Sequence, residues 1–242
     1  MFSLPLFKQS IKSNWGIWLV MTVIMDLILL QLTSMKGIAS SGLVDTMFYG
    51  MLGIVLPTIY VMVTANKLLA AQVDKGSMAY ILSTPTKRST VASTQIIFML
   101  LSLSVMFLST TLVHTITSVV IQDSIALKTV IELNLGAFVC VAALGGICFM
   151  FSGIFNLSKN ATSSGGLICI IFMMFNMLKM FSDSGVKGFD SFKYFTIVSL
   201  FDVEGITSGG NAWIWKICLL LCIAVITYAV GSISFQKKDL PL

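Results

Sequence analysis

The chain has 242 residues, of which 57% are hydrophobic and 10% charged, with a mean hydropathy of +0.96. Soluble domains carry about 25% charged residues, so this composition leaves too few charges to cover a water-facing surface. The net charge of +5 and the pI of about 9.0 do not point to nucleic acid, because the basic residues are scattered between apolar runs. The expectation is an all-α membrane protein forming one transmembrane domain over residues 1–242.

Five cysteines, Cys140, Cys148, Cys169, Cys218 and Cys222, all fall inside apolar runs. A disulfide framework would sit in extramembrane loops, so these are read as small embedded side chains. The single histidine is His114, and no Cys or His pair has ligand spacing outside the runs, so no metal is expected. Lys8 and Lys12 precede the first apolar run in the manner of a signal peptide, but no A-x-A cleavage pattern follows. That run is read as a retained span.

In chain order, residues 1–14 begin with an apolar stretch punctuated by Lys8 and Lys12, the pattern of a short helix lying on the inner leaflet. Six segments have the roughly 20 apolar residues a helix needs to cross the hydrocarbon. They are 15–35, 47–65, 91–120, 135–157, 163–181 and 213–235. The third exceeds a bilayer's thickness and must tilt or extend beyond it. Pro57 predicts a kink in the second. Ala142, Gly145, Gly146 and Gly153 permit close packing of the fourth, within the chain or between subunits. Residues 66–90 form a cytoplasmic segment. Residues 182–212 form an outer loop whose Phe189, Phe192, Tyr194, Phe195 and Phe201 favour the headgroup region.

Basic residues in short loops set orientation. With the N-terminus inside, nine Lys and Arg residues (8, 12, 67, 75, 87, 88, 159, 237 and 238) face the cytoplasm against Asp74 and Asp239. Six lysines face outward against seven acids. Both termini are therefore expected in the cytoplasm.

The inner segment reads Asp74-Lys75-Gly76-Ser77-Met78-Ala79-Tyr80-Ile81-Leu82-Ser83-Thr84-Pro85-Thr86-Lys87-Arg88. Met78, Ile81 and Leu82 recur at helical spacing on one face. Gly76 marks the approach, and Pro85 ends the helix because it lacks an amide hydrogen and disfavours helix before it. By physical pattern alone, a surface helix that merely joins two spans fits equally well.

The order acid-Lys-Gly, an apolar helical turn, then Leu-Ser-Thr-Pro-x-Lys-Arg resembles the permease subunits of type-2 ABC exporters. The six spans, the N-terminal interfacial helix, the long loop before the last span and the tail Phe235-Gln236-Lys237-Lys238-Asp239-Leu240 resemble them too. Related permeases often carry a lysine early in the third span, where this chain has Gln95. The resemblance implies a cytoplasmic coupling helix that docks on an ATPase through Asp74, Gly76, Met78, Tyr80, Ile81 and Leu82. It also implies a second permease, identical or paralogous, and two ATPase subunits that hold ATP and Mg, with no cofactor on this chain. Small permeases of similar length in Gram-positive bacteria export antimicrobial or cytolytic amphipathic peptides, which makes a peptide cargo and a multi-pass place in such a cell membrane the expectation.

The absences agree with that division of labour. A P-loop requires Gly-x-x-x-x-Gly-Lys-Ser/Thr, and no Gly-Lys pair occurs. With one histidine, no H-E-x-x-H and no paired intramembrane aspartates, no catalytic residue is expected. Asp26 lies mid-way along the first span, where a charge costs about 2.5–3.5 kcal/mol on insertion scales. It either lines a substrate path or is hydrogen-bonded for structure. An ion-coupled carrier using Asp26, and a membrane anchor that recruits a partner without transporting, are the alternatives. His114, among Thr110, Thr111, Thr115 and Thr117, fits a hydrogen-bonded structural role better than a pH switch.

Overall fold

In hydrocarbon every backbone N–H and C=O must be paired within the segment, so a chain of this composition is driven to helix. The computed structural model describes residues 2–34, 44–83, 86–121, 126–183 and 194–239, and of residues 45, 121 and 180–183 the backbone only. All regular structure among the described residues is helical. The α-helices are α1 (Leu4–Ser34), α2 (Gly53–Leu68), α3 (Ala70–Asp74), α4 (Ser77–Leu82), α5 (Arg88–Ile121), α6 (Leu127–Ile154), α7 (Ser158–Asp183), α8 (Val203–Thr207) and α9 (Ala212–Lys237). A π-helix, Asp45–Leu52, leads into α2, and a 3-10 turn, Ile197–Leu200, precedes α8. Six stretches are long and apolar enough to cross a membrane: α1, Thr46–Asp74, Arg88–Val120, α6, Ser158–Lys179 and α9.

The fourth of these is the hub. In its most apolar 18-residue stretch 78% is buried by the chain itself, against 22–44% in the other five. It packs on α2, α5, α7 and α9, while α1 lies mainly on α5. The small residues allow this. A β-carbon on Gly153 would meet the Gly231 backbone carbonyl of α9, and one on Gly231 would meet Met150. Gly145 faces Met99, Tyr228 and Val61, and Gly146 faces Thr227. The glycine stripe is therefore used inside the chain. The outward faces of α1, α5 and α9 remain apolar, with Val23, Leu27, Leu108, Leu112, Val225 and Ile226 all exposed, the reverse of a soluble surface.

Element boundaries depart from the sequence pattern for identifiable reasons. No break separates residues 4–14 from the first span. Pro5 sits in the first helical turn, where its missing N–H is harmless, and α1 runs unbroken for 31 residues, about 46 Å at 1.5 Å per residue. Polar side chains inside it bond back to its own carbonyls, Ser10 to Leu6 and Thr33 to Leu29. Helix α6 begins eight residues before the apolar run at 135, aided by the Lys128–Glu132 pair at 3.7 Å across one turn. Near Pro57 the irregularity takes the form of the π-helix, which gives way to α-helix at Gly53, the residue whose carbonyl the proline ring crowds.

In the stretch before α9, Tyr194 and Phe195 are exposed whereas Phe201 is buried against Gly136. Phe189 and Phe192 lie outside the described residues. All five cysteines are free thiols, with Cys148 and Cys169 Sγ 3.4 Å apart.

The α6–α9 contact leaves no space for a side chain. Gly153→Ala should destabilise the protein by about 1–3 kcal/mol, the usual range for overpacking. Gly16→Ala, with nothing within 4 Å of the new carbon, should be neutral or slightly stabilising. Thermal unfolding of both variants in mild detergent checks the contrast, and equal effects would contradict this packing.

Candidate functional site

The second span breaks at Leu69, whose backbone (φ −128°, ψ −71°) leaves the helical region. A break inside an apolar protein orphans backbone groups, and α6 supplies their partner. The Ser152 hydroxyl donates to the Ala65 carbonyl at 2.8 Å and accepts from the Ala70 amide at 3.0 Å. Beyond it, Asn66 donates to the Ser158 hydroxyl at 2.8 Å, and the Asp74 carboxylate accepts from the Ser158 amide at 3.2 Å. Asp74 thus sits at the positive N-terminal end of α7, where an anion is favoured.

Gly76 then reverses the chain at φ +71°, a left-handed conformation that costs side-chain-bearing residues energy. The short helix α4 follows. Met78 is buried in the core, while Ile81 and Leu82 pack partly buried against it. The Met78, Ile81, Leu82 face expected from the sequence therefore exists, and it is turned onto this chain's own spans. Tyr80 points the other way and is 84% exposed. Asp74, Lys75, Gly76 and Ser77 are exposed beside it. Residues 84 and 85, and with them the stop expected from Pro85, lie outside the described residues. Between the first turns of α1 and helix α4 lies a cleft of about 530 Å³, with Ser3, Leu6 and Gln9 on one wall and Ser77, Tyr80 and Ile81 on the other.

The same end of the molecule is tied together by two basic residues whose role the sequence did not reveal. Arg88, first residue of α5, donates to the Lys238 carbonyl at 2.7 Å. The Lys238 ammonium donates to the Phe155 carbonyl at 2.6 Å and to Gly153 at 3.4 Å, closing the C-terminal end of α6. Asn156 reaches the Asp239 carbonyl at 3.3 Å. Loss of hydration pushes the Lys238 amine down to about 8. The tail motif of the sequence is thus the clasp between α5, α6 and α9.

Asp26 is not part of this assembly. It is half-buried on α1, with the Thr110 hydroxyl of α5 donating to it at 3.2 Å. It lies 20 residues along α1 from Leu6, about 30 Å, and forms no ion pair among the described residues. His114 is buried in a separate node. Asn134 donates to the Tyr49 hydroxyl at 2.8 Å, and that hydroxyl is 2.7 Å from His114 Nδ1. The neighbouring threonines Thr111, Thr115 and Thr117 bond instead to their own helix carbonyls. A partner 65 residues upstream, itself held by a residue 20 downstream, leaves no local signature. Among the described residues no His, Cys, Asp and Glu group is arranged to hold a metal.

The Lys238 clasp has a pH signature. Its amine is lowered from 10.5 to about 8 in the fold, so between those values the unfolded chain binds more protons there, and stability rises with pH across that window. Unfolding measured at about pH 7.5 and pH 9.5 should therefore move in favour of the wild type relative to Lys238→Met at the higher value. An unchanged difference would contradict the desolvated clasp. Compared with known proteins, the chain matches no family model and no curated protein sequence.

Proposed function

We propose that this chain is the permease half of an ATP-driven exporter, with α4 as the coupling helix. The observation that carries the proposal is the division of α4 into two faces. Met78, Ile81 and Leu82 are committed to the spans, and Tyr80 stands exposed at the mouth of a cleft. A helix built this way can accept a push on one side and deliver it to the membrane domain on the other. Asp74 and Ser152 carry the linkage on to α7 and α6. The resemblance of Asp74 to Arg88 to type-2 ABC permeases supports the same reading.

On this reading two copies of a cytoplasmic ATPase, holding ATP and Mg, close and open against α4 in the chain and in a second permease, identical or paralogous. Alternating access then moves an amphipathic or hydrophobic cargo, an antimicrobial or toxin-like peptide in the first instance, outward across the plasma membrane of a Gram-positive cell. The exposed apolar faces of α1, α5 and α9 supply the area for lipid and for the second permease. The charge asymmetry of the loops supports cytoplasmic termini. The chain itself performs no hydrolysis. Asp26, beside Thr110, is the candidate polar contact on the path.

The test is cargo-stimulated ATP hydrolysis by the reconstituted complex. Tyr80→Ala and Gly76→Val should each reduce the stimulation at least about tenfold, the loss of about 1.4 kcal/mol of coupling, while the purified chain keeps its thermal stability in the Tyr80 variant. Export that survives ATP depletion and collapses with the proton gradient would overturn the proposal in favour of an ion-coupled carrier.

A further inference from the structure

At the end of the molecule opposite α4, a cleft of about 690 Å³, lined by α7, α9 and the stretch 194–202, falls within the size range of ligand pockets. The two helices run antiparallel: Ser158 at the start of α7 meets Asp74, and Lys238, just past α9, meets Phe155. Lys179 and Lys216 therefore both stand at the far end, and both line the cleft. Phe172 and Ile223 also line it, each seven residues deeper along its helix, about 10 Å towards the membrane interior. Leu219 continues the apolar wall, and Tyr194, Phe195 and Trp215, all exposed, frame the mouth.

The charges at the mouth are unequal. Lys216 is engaged by Asp202 in an ion pair at 2.5 Å, and Asp202 also accepts from the Gly205 amide at 2.9 Å. Burial alone would raise the Asp202 carboxyl, but Lys216, the Gly205 amide and the field of Lys179 outweigh it and hold it below its usual range. That carboxylate is fully committed. Lys179 is half-buried and makes no contact ion pair among the described residues. Glu204 does not line the cleft but shares the small adjoining cavity with Lys179 and Asp202. Among the described residues the cleft is thus lined by two lysines and one carboxylate, a net positive charge at its mouth above an apolar slot that runs down along the hydrocarbon.

We infer that this cleft is a binding site for an anionic phospholipid of the adjacent leaflet, with its phosphate at Lys179 and an acyl chain along Phe172, Leu219 and Ile223. Charge complementarity selects the occupant. A net-negative headgroup satisfies Lys179, whereas the choline ammonium of a zwitterionic lipid is repelled by it. Aromatic residues at the mouth suit the interface. This inference stands apart from the exporter reading, since it needs neither ATPase nor cargo.

The test uses the full chain in nanodiscs of phosphatidylcholine with added phosphatidylglycerol, brominated on the acyl chain of one lipid or the other. Trp215 fluorescence is read in a variant with Trp15, Trp18 and Trp213 changed to Phe. Retained lipid is counted by native mass spectrometry on the unmodified chain. Brominated phosphatidylglycerol should quench at about fivefold lower mole fraction than brominated phosphatidylcholine, the worth of one lysine facing an anionic lipid. Lys179→Gln should abolish that preference, and Lys179→Arg should keep it. Equal quenching by the two lipids, or a preference unchanged in Lys179→Gln, would overturn the inference. Displacement of the retained lipid by inorganic phosphate would replace it with a soluble-anion site.

Discussion

The close approach of α6 and α9 at Gly153 and Gly231 is the constraint on which the other arrangements rest. In a protein without a water-driven core between its spans, van der Waals packing and satisfied polar groups must do the holding. Small residues let the two backbones meet, which buries α6 and makes it the common neighbour of α2, α5, α7 and α9. The C-terminal end of α6 then becomes a junction. Within four residues, Ser152 mends the break in the second span, Gly153 touches α9, and the Gly153 and Phe155 carbonyls receive Lys238. Arg88 adds the start of α5.

On the proposed exporter reading, that junction gives α4 a mechanical role. The helix is only six residues long and could not persist alone in water. It stands because Met78 is buried and because Asp74 and Gly76 fix its approach. A load applied at Tyr80 has a short path into the membrane domain: through Met78 to the core, and through α3 to Ser152 and Ser158. The links from α3 are single hydrogen bonds, each worth about 1 kcal/mol net, whereas Met78 is anchored by its burial in the core. Asp26 and the Tyr49–His114–Asn134 node lie apart from it, one on the α1–α5 seam and the other binding the second, third and fourth spans together.

Six spans were legible because length and hydropathy alone decide whether a helix can cross a bilayer. Where each helix begins was not, because a helix can continue past its apolar run: α6 starts at Leu127, eight residues before residue 135, with the Lys128–Glu132 pair in its first turns. Periodicity correctly put Met78, Ile81 and Leu82 on one face, but it cannot say whether an apolar face turns towards a partner or towards its own chain. Tyr80, the residue outside that pattern, is the exposed one. Lys238 and Arg88 read as loop charges, since nothing in a sequence marks which distant carbonyls a cation will cap. The sequence predicts a hydrogen-bonded His114, and Tyr49 of the second span is 2.7 Å from its Nδ1, while the flanking threonines bond their own helix carbonyls. Asp26 was placed between a path and a structural bond. The structure gives it the Thr110 hydroxyl of the third span as a partner.

The most direct measurement places a photo-crosslinking amino acid at position 80 in cells, with a second chain carrying it at the buried position 78 as control. The account predicts a protein adduct at position 80 whose other half is a P-loop ATPase, with none at position 78. Adducts to lipid alone at position 80, in cells where the chain is folded and inserted, would contradict the assignment of α4 as a coupling helix.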